Sequence, residues 1–273
     1  YKLTIWTISA MMCGVAGALY VPPIGAKLVL PGQRLDPENL YRLLEDEGVT
    51  VSAGVPTVWQ GLLAHVEAND LKFSTMRRTI IGGAACPRMM IEILETKYGV
   101  EVIHGWGMTE MSPIGTTGKL KHATAHLQGE ERVRLKLKQG RTPYMVEMKI
   151  VDDAHNDLPR DGVTSGHLLV RGPAISSGYY RLDENVLDED GWFDTGDIAN
   201  IDGLGYMQIT DRDKDVIKSG GEWISSIEIE NTALGCAGVA EAAVIGVPHP
   251  RWTERPLLII VRKPAAVVSK EDV

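Results

Sequence analysis

Two short motifs combine hydroxyl, carboxylate and aromatic groups with glycine, a combination suited to holding a phosphorylated ligand. The loop over residues 104–110 ends in Thr109 and Glu110. A threonine hydroxyl can donate to a phosphate oxygen, and a carboxylate can hold Mg²⁺, which shares its oxygen ligands with substrate phosphates. The stretch 192–197 places Asp197 just after a tight turn, where a carboxylate can accept both hydroxyls of a ribose diol. Taken alone, either motif is more often a solvated or self-capped turn.

Positive charge and small residues stand at two further places. Residues 211–221 end in glycines; Arg212 offers a planar donor fork there, and Lys214 and Lys218 could meet phosphates. Most charge runs are nevertheless solvated surface linkers. The small residues 82–85 would let a flat ligand approach the backbone, although such a loop at a strand end is usually a plain turn.

The elements that must position these residues alternate between helix and strand from residue 36 to residue 113. Repeated strand–helix units predict a doubly wound parallel sheet, whose ligands bind beyond the carboxyl ends of the strands. Both glycine-rich loops fall at such ends. The predicted helices cover residues 37–47, 56–67 and 87–98, with Asp36 as the N-cap of the first, and the predicted strands cover residues 49–53, 79–81 and 100–103.

The pattern changes near residue 140, where apolar residues begin to alternate with polar ones, as in an antiparallel sheet or small barrel. After Asp211 a short α+β segment follows, with a helix over 226–234. We therefore predict an α/β fold. Its large domain, residues 1–213, has a doubly wound parallel sheet in 1–140 and a small β-barrel-like subdomain in 141–213; part of a small, mobile α+β C-terminal domain follows in 214–273.

Composition excludes several classes of protein. The 28 Lys and Arg residues against 36 Asp and Glu give a formal net charge of −8 over 273 residues, which argues against a nucleic-acid coat or a polybasic membrane binder. The three cysteines have no CxxC spacing, which argues against a disulfide framework or structural zinc and favours a reduced, cytoplasmic protein.

The N-terminal stretch 3–26 carries no charged residue, which is long enough for a membrane span or a signal peptide. Gly14, Gly17, the Pro22–Pro23 pair and Gly25 break the run. We therefore predict a buried helix over about 5–20 and a buried strand over 26–30, with a membrane-anchored or secreted protein as the alternative.

Taken together and in this order, the motifs resemble those of the adenylate-forming superfamily of acyl-CoA synthetases, luciferases and peptide-synthetase adenylation domains. The resemblance is greatest to bacterial medium- or long-chain fatty-acyl-CoA synthetases and runs along nearly the whole chain. Its firmest stretches are residues 54–59, 82–85, 105–110, 192–197, 211–227 and 248–256.

The resemblance implies a nucleotide site. The loop 83–85 and Trp106, where the family often has Tyr, would flank the adenine, and Asp197 would hold the ribose diol with help from Arg212. The residues that would bind the nucleotide are Gly83, Ala84, Ala85, Gly105, Trp106, Gly107, Thr109, Asp197 and Arg212.

The resemblance also implies catalytic roles for Thr109, Glu110 and Lys218. The Thr109 hydroxyl would donate to a phosphate oxygen, and Glu110 would bind Mg²⁺. The smaller C-terminal domain would pivot on Lys214, and Lys218 would approach the adenylate in one of its two orientations.

A channel for the acyl chain and coenzyme A is implied as well. Trp6 aligns with a tryptophan that gates the fatty-acid tunnel in close relatives, although the stretch around it matches poorly. Gly221, Glu222 and Trp223 would line the pantetheine or acyl channel, and Trp59 adds an aromatic wall that is more often plain core.

The activity implied is ATP-dependent conversion of a fatty acid to an acyl-adenylate, followed by transfer to coenzyme A. ATP or AMP, Mg²⁺ and coenzyme A would be the cofactors, with no nucleic-acid partner and no stable membrane span. Close relatives are often homodimers.

Departures from the family pattern leave alternatives open. The family's Ser/Thr/Gly-rich phosphate loop would lie upstream of Tyr1 and its late catalytic lysine beyond Val273, so the chain reads as a fragment. It could be a catalytically incomplete nucleotide-binding module, or part of a ligase for an aryl or short-chain acid.

Overall fold

The computed structural model describes residues 27–182, 185–220, 222–263 and 266–269. Trp6, Gly221 and the side chain of Glu222 lie outside this description, as does the predicted helix over 5–20. The chain divides into two compact units, one of Tyr1–Ser52 with Thr57–Arg77 and one of Ala53–Pro56 with Arg78–Val273. The predicted domain boundary between residues 213 and 214 stays a prediction.

In the first unit, helix α1 (Pro37–Asp46) begins as predicted, because the Asp36 carboxylate accepts from the Asn39 backbone N–H at 2.9 Å and proline opens the first turn. Helix α2 (Pro56–Ala68) buries Trp59 against Phe73, with ring centroids 6.3 Å apart. Residues 27–30 are irregular, and Leu28 and Leu30 are exposed. The prediction of a buried strand there is wrong, because a run of apolar residues does not by itself show that another part of the chain covers it.

In the second unit, a sheet of order β1-β2-β3-β4 is formed by the last two residues of β1 (Val51–Gly54) and by Arg78–Ile81, Glu101–Gly107 and Ile114–Thr117. Val51 and Ser52 belong to the first unit. Strands β2 and β3 are parallel, as predicted, whereas β3 and β4 are antiparallel, so the sheet is mixed. Helix α3 (Arg88–Glu92) continues as a π-helical turn over Ile93–Lys97, and helix α4 covers Gly129–Leu137.

The β-rich part is an antiparallel sheet of order β5-β6-β7-β8. Alternate residues on one face pack into a buried cluster that includes Met111 from the preceding region. The strands pair in an open row, so the predicted barrel-like part is a sheet that does not close. The four strands are Glu147–Val151, Gly166–Arg171, Phe193–Ile201 and Met207–Arg212.

The C-terminal segment is the predicted α+β element. Its helix α5 has the predicted bounds, Ser226–Leu234, and packs on strand β11. The sheet order is β10-β9-β12-β11. Its strands β9 to β12 are Ile217–Ser219, Glu222–Ile224, Val239–His249 and Thr253–Arg262. The predicted α/β class is thus confirmed, and within the described residues no helix has the length and apolarity needed to span a bilayer.

Candidate active site

Trp106 and Asp197, which lie 91 residues apart in the chain, meet in the second unit. Trp106 stands near the end of β3 and Asp197 in the middle of β7. The indole Nε1–H donates to the Asp197 carboxylate Oδ2 at 2.9 Å. Two residues predicted for one ligand therefore belong to a single hydrogen-bonded group.

Arg212 approaches the other oxygen of the same carboxylate. It faces Asp197 across the β7–β8 pair, and its Nε lies 3.9 Å from Oδ1. The Asp197 side chain is only 16% exposed, whereas that of Arg212 is 63% exposed. Burial raises the pKa of Asp197, and the Trp106 hydrogen bond and the Arg212 charge oppose that rise.

The two glycine-rich loops lie side by side. Gly82 approaches Gly105 so closely that a Cβ on Gly82 would stand 2.8 Å from the Gly105 carbonyl oxygen. Gly83 has a left-handed backbone with φ of +84°, which favours glycine. The predicted loop 83–85 therefore lies beside the strand that carries Trp106.

The indole of Trp106 is held firmly in this place. A side chain at Gly115 on the neighbouring strand would clash with its ring, and the ring packs against the buried cluster under the β5–β8 sheet. The Trp106 backbone N–H donates to the Thr116 Oγ1 at 3.2 Å, and that hydroxyl donates to the Gln139 carbonyl at 2.6 Å.

Glu110 has a partner that reasoning from sequence missed. Thr109 and Glu110 open a single 3₁₀ turn in which Thr109 is exposed and Glu110 is half-buried. The Tyr179 hydroxyl donates to the Glu110 Oε1 at 2.9 Å, although the residues are 69 positions apart. Burial, with the Glu110 contact, raises the pKa of Tyr179. No local pattern identifies Tyr179, because the pairing arises from the folding of a distant loop.

The described residues contain no group of three or more His, Cys, Asp or Glu side chains arranged to hold a metal. Glu110 instead offers one carboxylate next to an exposed hydroxyl. Mg²⁺ is commonly bound by one or two carboxylates together with substrate phosphates and water. The donor set therefore fits an ion that arrives with a nucleotide.

Asp211 is a second residue whose role was missed. It is 1% exposed, and its carboxylate accepts from the Ser226 N–H at 2.6 Å, the Ser226 hydroxyl at 3.1 Å and the Arg212 N–H at 2.8 Å. The Ser225 hydroxyl also donates to the Thr210 carbonyl. These bonds attach the first turn of α5 to the end of β8.

The two lysines of this segment lie just beyond that attachment. Lys214 is exposed in the turn after β8. The Lys218 Nζ lies 3.8 Å from the Asp213 Oδ1 and 5.4 Å from the centre of the Trp223 ring. The Asp213 N–H in turn donates to the Gly196 carbonyl at 3.0 Å, so Lys218 is linked through Asp213 to the residue before Asp197.

Two cavities of the second unit include predicted residues. Ala85 and Trp223 line a groove of about 1100 Å³, and Arg212 and Lys214 line a cavity of about 450 Å³. Trp59 belongs to the first unit and is 2% exposed, which is ordinary core packing, so its place in an acyl channel stays a prediction.

Comparison with known proteins identifies the family to which the sequence of this chain is similar. The sequence profile of AMP-binding enzymes matches residues 3–180, and that of the AMP-binding enzyme C-terminal domain matches residues 228–273. The chain is 54% identical to a 3-methylmercaptopropionyl-CoA ligase of Ruegeria lacuscaerulensis over 87% of this chain and 44% of the relative. It is 48% identical to a medium-chain-fatty-acid–CoA ligase of Ectopseudomonas oleovorans over 92% of this chain and 46% of the relative.

A solved structure has the same fold. The o-succinylbenzoate CoA synthetase of Bacillus subtilis, in complex with its acyl-adenylate intermediate, superposes with a TM-score of 0.76 at 26% identity, over 95% of this chain and 50% of that one. The chain thus spans about half the length of the relatives it matches or less. Because the first profile covers more than half of this chain, the chain belongs to the AMP-binding enzyme family.

Proposed function

We propose that the whole protein is an acid–thiol ligase that activates a fatty acid with ATP and transfers the acyl group to coenzyme A. The observation that carries this proposal is the group formed by Trp106, Asp197 and Arg212 beside the two glycine-rich loops. A buried carboxylate with two neighbouring donors is suited to accept from vicinal hydroxyls, and the bare loops beside it leave room for a flat base.

The remaining nucleotide contacts follow from the same elements. The adenine would lie between the loop 83–85 and Trp106, and the exposed Thr109 hydroxyl would donate to a phosphate oxygen. Glu110, oriented by Tyr179, would supply one ligand to Mg²⁺. The ion, when bound, would supply positive charge that stabilises the phosphate oxygens.

In the first half-reaction, a carboxylate oxygen of the fatty acid would attack the α-phosphorus of ATP, and pyrophosphate would leave. In the second, the sulfur of coenzyme A would attack the acyl carbon, and AMP would leave. The chain's own contribution is to align these groups and to neutralise developing charge. Lys218 would approach the adenylate in one orientation of the segment that follows Lys214.

We infer that this segment, 214–273, moves relative to 1–213 with Lys214 as the hinge. The supporting observation is that Asp213, Lys214 and Asp215 are all exposed. The bonds between Asp211 and Ser226 hold the segment in its present orientation. Rotation at Lys214 would require those bonds to break. The family resemblance further supports a homodimer. The three cysteines lie far apart in the sequence with no CxxC spacing, which supports a cytoplasmic location.

A medium- or long-chain fatty acid is the proposed substrate, supported by the relative named as a medium-chain ligase. A second candidate is a short thioether acid, favoured by the 54% identity to a relative named for 3-methylmercaptopropionate. The two candidates differ in how much apolar chain the acyl site must accommodate.

The test uses the complete gene product. ATP–pyrophosphate exchange and thioester formation would be measured with dodecanoate and with 3-methylmercaptopropionate. The wild type is compared with Asp197→Ala and with the control Asp190→Ala, which removes an exposed aspartate just before the strand that carries Asp197. We expect exchange with dodecanoate in the wild type and Asp190→Ala and its loss in Asp197→Ala. Exchange with 3-methylmercaptopropionate but not with dodecanoate would establish the second candidate. If neither acid supported exchange, the ligase proposal would be overturned.

A further inference from the structure

Each oxygen of the Asp197 carboxylate faces a different donor. Oδ2 accepts the indole N–H of Trp106 at 2.9 Å, and Oδ1 faces the Arg212 guanidinium at 3.9 Å. The indole contact is a hydrogen bond from a side chain packed against the core, whereas 3.9 Å is too long for a hydrogen bond from the guanidinium. The guanidinium is largely exposed, so the indole is the partner that restrains the plane of the carboxylate.

The indole cannot easily follow a moving carboxylate. Gly115 leaves space for the Trp106 ring that no larger residue would leave, and the Trp106 backbone is tied to Thr116 on β4. A donor fixed by packing costs little reorganisation when a ligand binds. Asp197 therefore has one preset orientation before any nucleotide arrives.

We propose that Trp106 is a positioning residue for ribose recognition: its indole N–H orients the Asp197 carboxylate so that the remaining acceptor sites face the 2′- and 3′-hydroxyls of the ligand. This inference rests on the proposed function and goes beyond an aromatic wall for the adenine. Burial raises the pKa of Asp197 and the indole bond opposes the rise, so the same contact favours the ionised acceptor.

The first test needs no nucleotide. In ¹⁵N-labelled protein, the indole resonance absent from Trp106→Phe belongs to Trp106. We expect this resonance to titrate with pH as Asp197 ionises and to lose that titration in Asp197→Ala. An indole resonance that is indifferent to both pH and Asp197→Ala would overturn the proposal.

The second test measures ribose discrimination. Affinities for AMP and for 2′,3′-dideoxy-AMP are compared by calorimetry in the wild type, in Trp106→Phe, and in the control Trp192→Phe, whose ring stacks on Arg171 elsewhere. We expect the wild type and the control to prefer AMP about 100-fold, the size expected for two hydrogen bonds to a charged group. In Trp106→Phe we expect the preference to fall to roughly tenfold or less, with affinity for the dideoxy ligand little changed.

The outcomes distinguish a failure of the positioning role of Trp106 from a failure of the ribose site in the proposed function. Equal weakening of both ligands in Trp106→Phe would show that the ring acts by packing alone and would overturn the positioning role. A wild type that binds neither ligand, or does not distinguish them, would overturn the ribose site of the proposed function, while the indole titration would still report on the Trp106–Asp197 bond. We also expect the acid limb of AMP affinity to shift to higher pH in Trp106→Phe, because a contact that lowers the pKa of Asp197 is lost.

Discussion

Asp197 and Asp211 lie on adjacent strands and are both well buried, yet they have opposite uses. Asp197 has two side-chain donors beside it, whereas Asp211 accepts three hydrogen bonds within the fold. Successive residues of a strand point to opposite faces, so Arg212 turns toward Asp197 while Asp211 turns toward α5. A carboxylate with unused acceptor capacity can bind a ligand, and one whose acceptor sites are filled by the protein holds the fold together.

The largest effect on binding is expected from Asp197→Ala. Loss of a charged acceptor for two hydroxyls should weaken an acyl-adenylate analogue by about 100-fold, measured by calorimetric titration. The melting temperature should change little, because the Trp106 indole N–H loses its acceptor while a carboxylate whose pKa is raised by burial is removed with it. Unchanged affinity would remove the ribose role from Asp197 and with it the contrast to Asp211.

Asp211→Ala should have the largest effect on stability. It leaves the Ser226 N–H at the start of α5 without its acceptor, and we expect a loss of about 2–3 kcal/mol in the free energy of unfolding. Denaturant titration measures the loss, and hydrogen exchange at residues 226–228 locates it. The control Ser226→Ala keeps the backbone donor and should cost only about 1 kcal/mol. Equal losses in the two variants would contradict the claim that the Ser226 N–H bond contributes more to stability than the hydroxyl bond.

Lys214→Pro addresses the movement that the Asp211 bonds would restrain. In the complete protein we expect pyrophosphate exchange to persist while thioester formation falls about tenfold or more, because proline restricts rotation at its own position and at the preceding residue. The two half-reactions are assayed separately. If both fell together, the hinge would have to be placed elsewhere.

The smallest effect concerns pH. The pKa of Asp197 is raised in the folded protein, so Asp197 favours folding below the ordinary carboxyl pKa and loses that contribution as pH rises through the raised value. At neutral pH, Asp197→Asn should therefore be slightly more stable than the wild type, by less than about 1 kcal/mol. Urea midpoints at pH 4 and pH 7 measure the difference; a less stable variant at pH 7 would show that the ionised form is favoured by its partners.

Several elements could be predicted because their signals are local. Asp36 before Pro37 is a helix start that needs no distant partner, and α1 begins there. The helix over 226–234 was predicted with its observed bounds. The glycines of the two loops were recognised because the absence of a side chain is itself a local property, and the structure brings them within contact distance.

Other predictions failed where the deciding partner is remote. The segment 27–30 is apolar yet exposed, and β4 pairs antiparallel to β3 although the region reads as repeated strand–helix units. The alternating strands after residue 140 form an open antiparallel sheet, which is one of the two arrangements that the pattern allowed. Periodicity identifies a strand, but closure and direction depend on which edges meet.

The amino-acid sequence by itself determined the family, the starts of helices α1, α2, α3 and α5, and the residue types of the site, because motif order and capping are encoded over short spans. Only the tertiary structure decided which groups touch. The Trp106–Asp197 and Tyr179–Glu110 hydrogen bonds join residues far apart in the chain, and the charged run at Asp211 contains a buried anchor where a solvated surface was the simpler expectation. A hydrogen bond depends on distance and direction between atoms, and those are fixed only when the strands that carry them pack together.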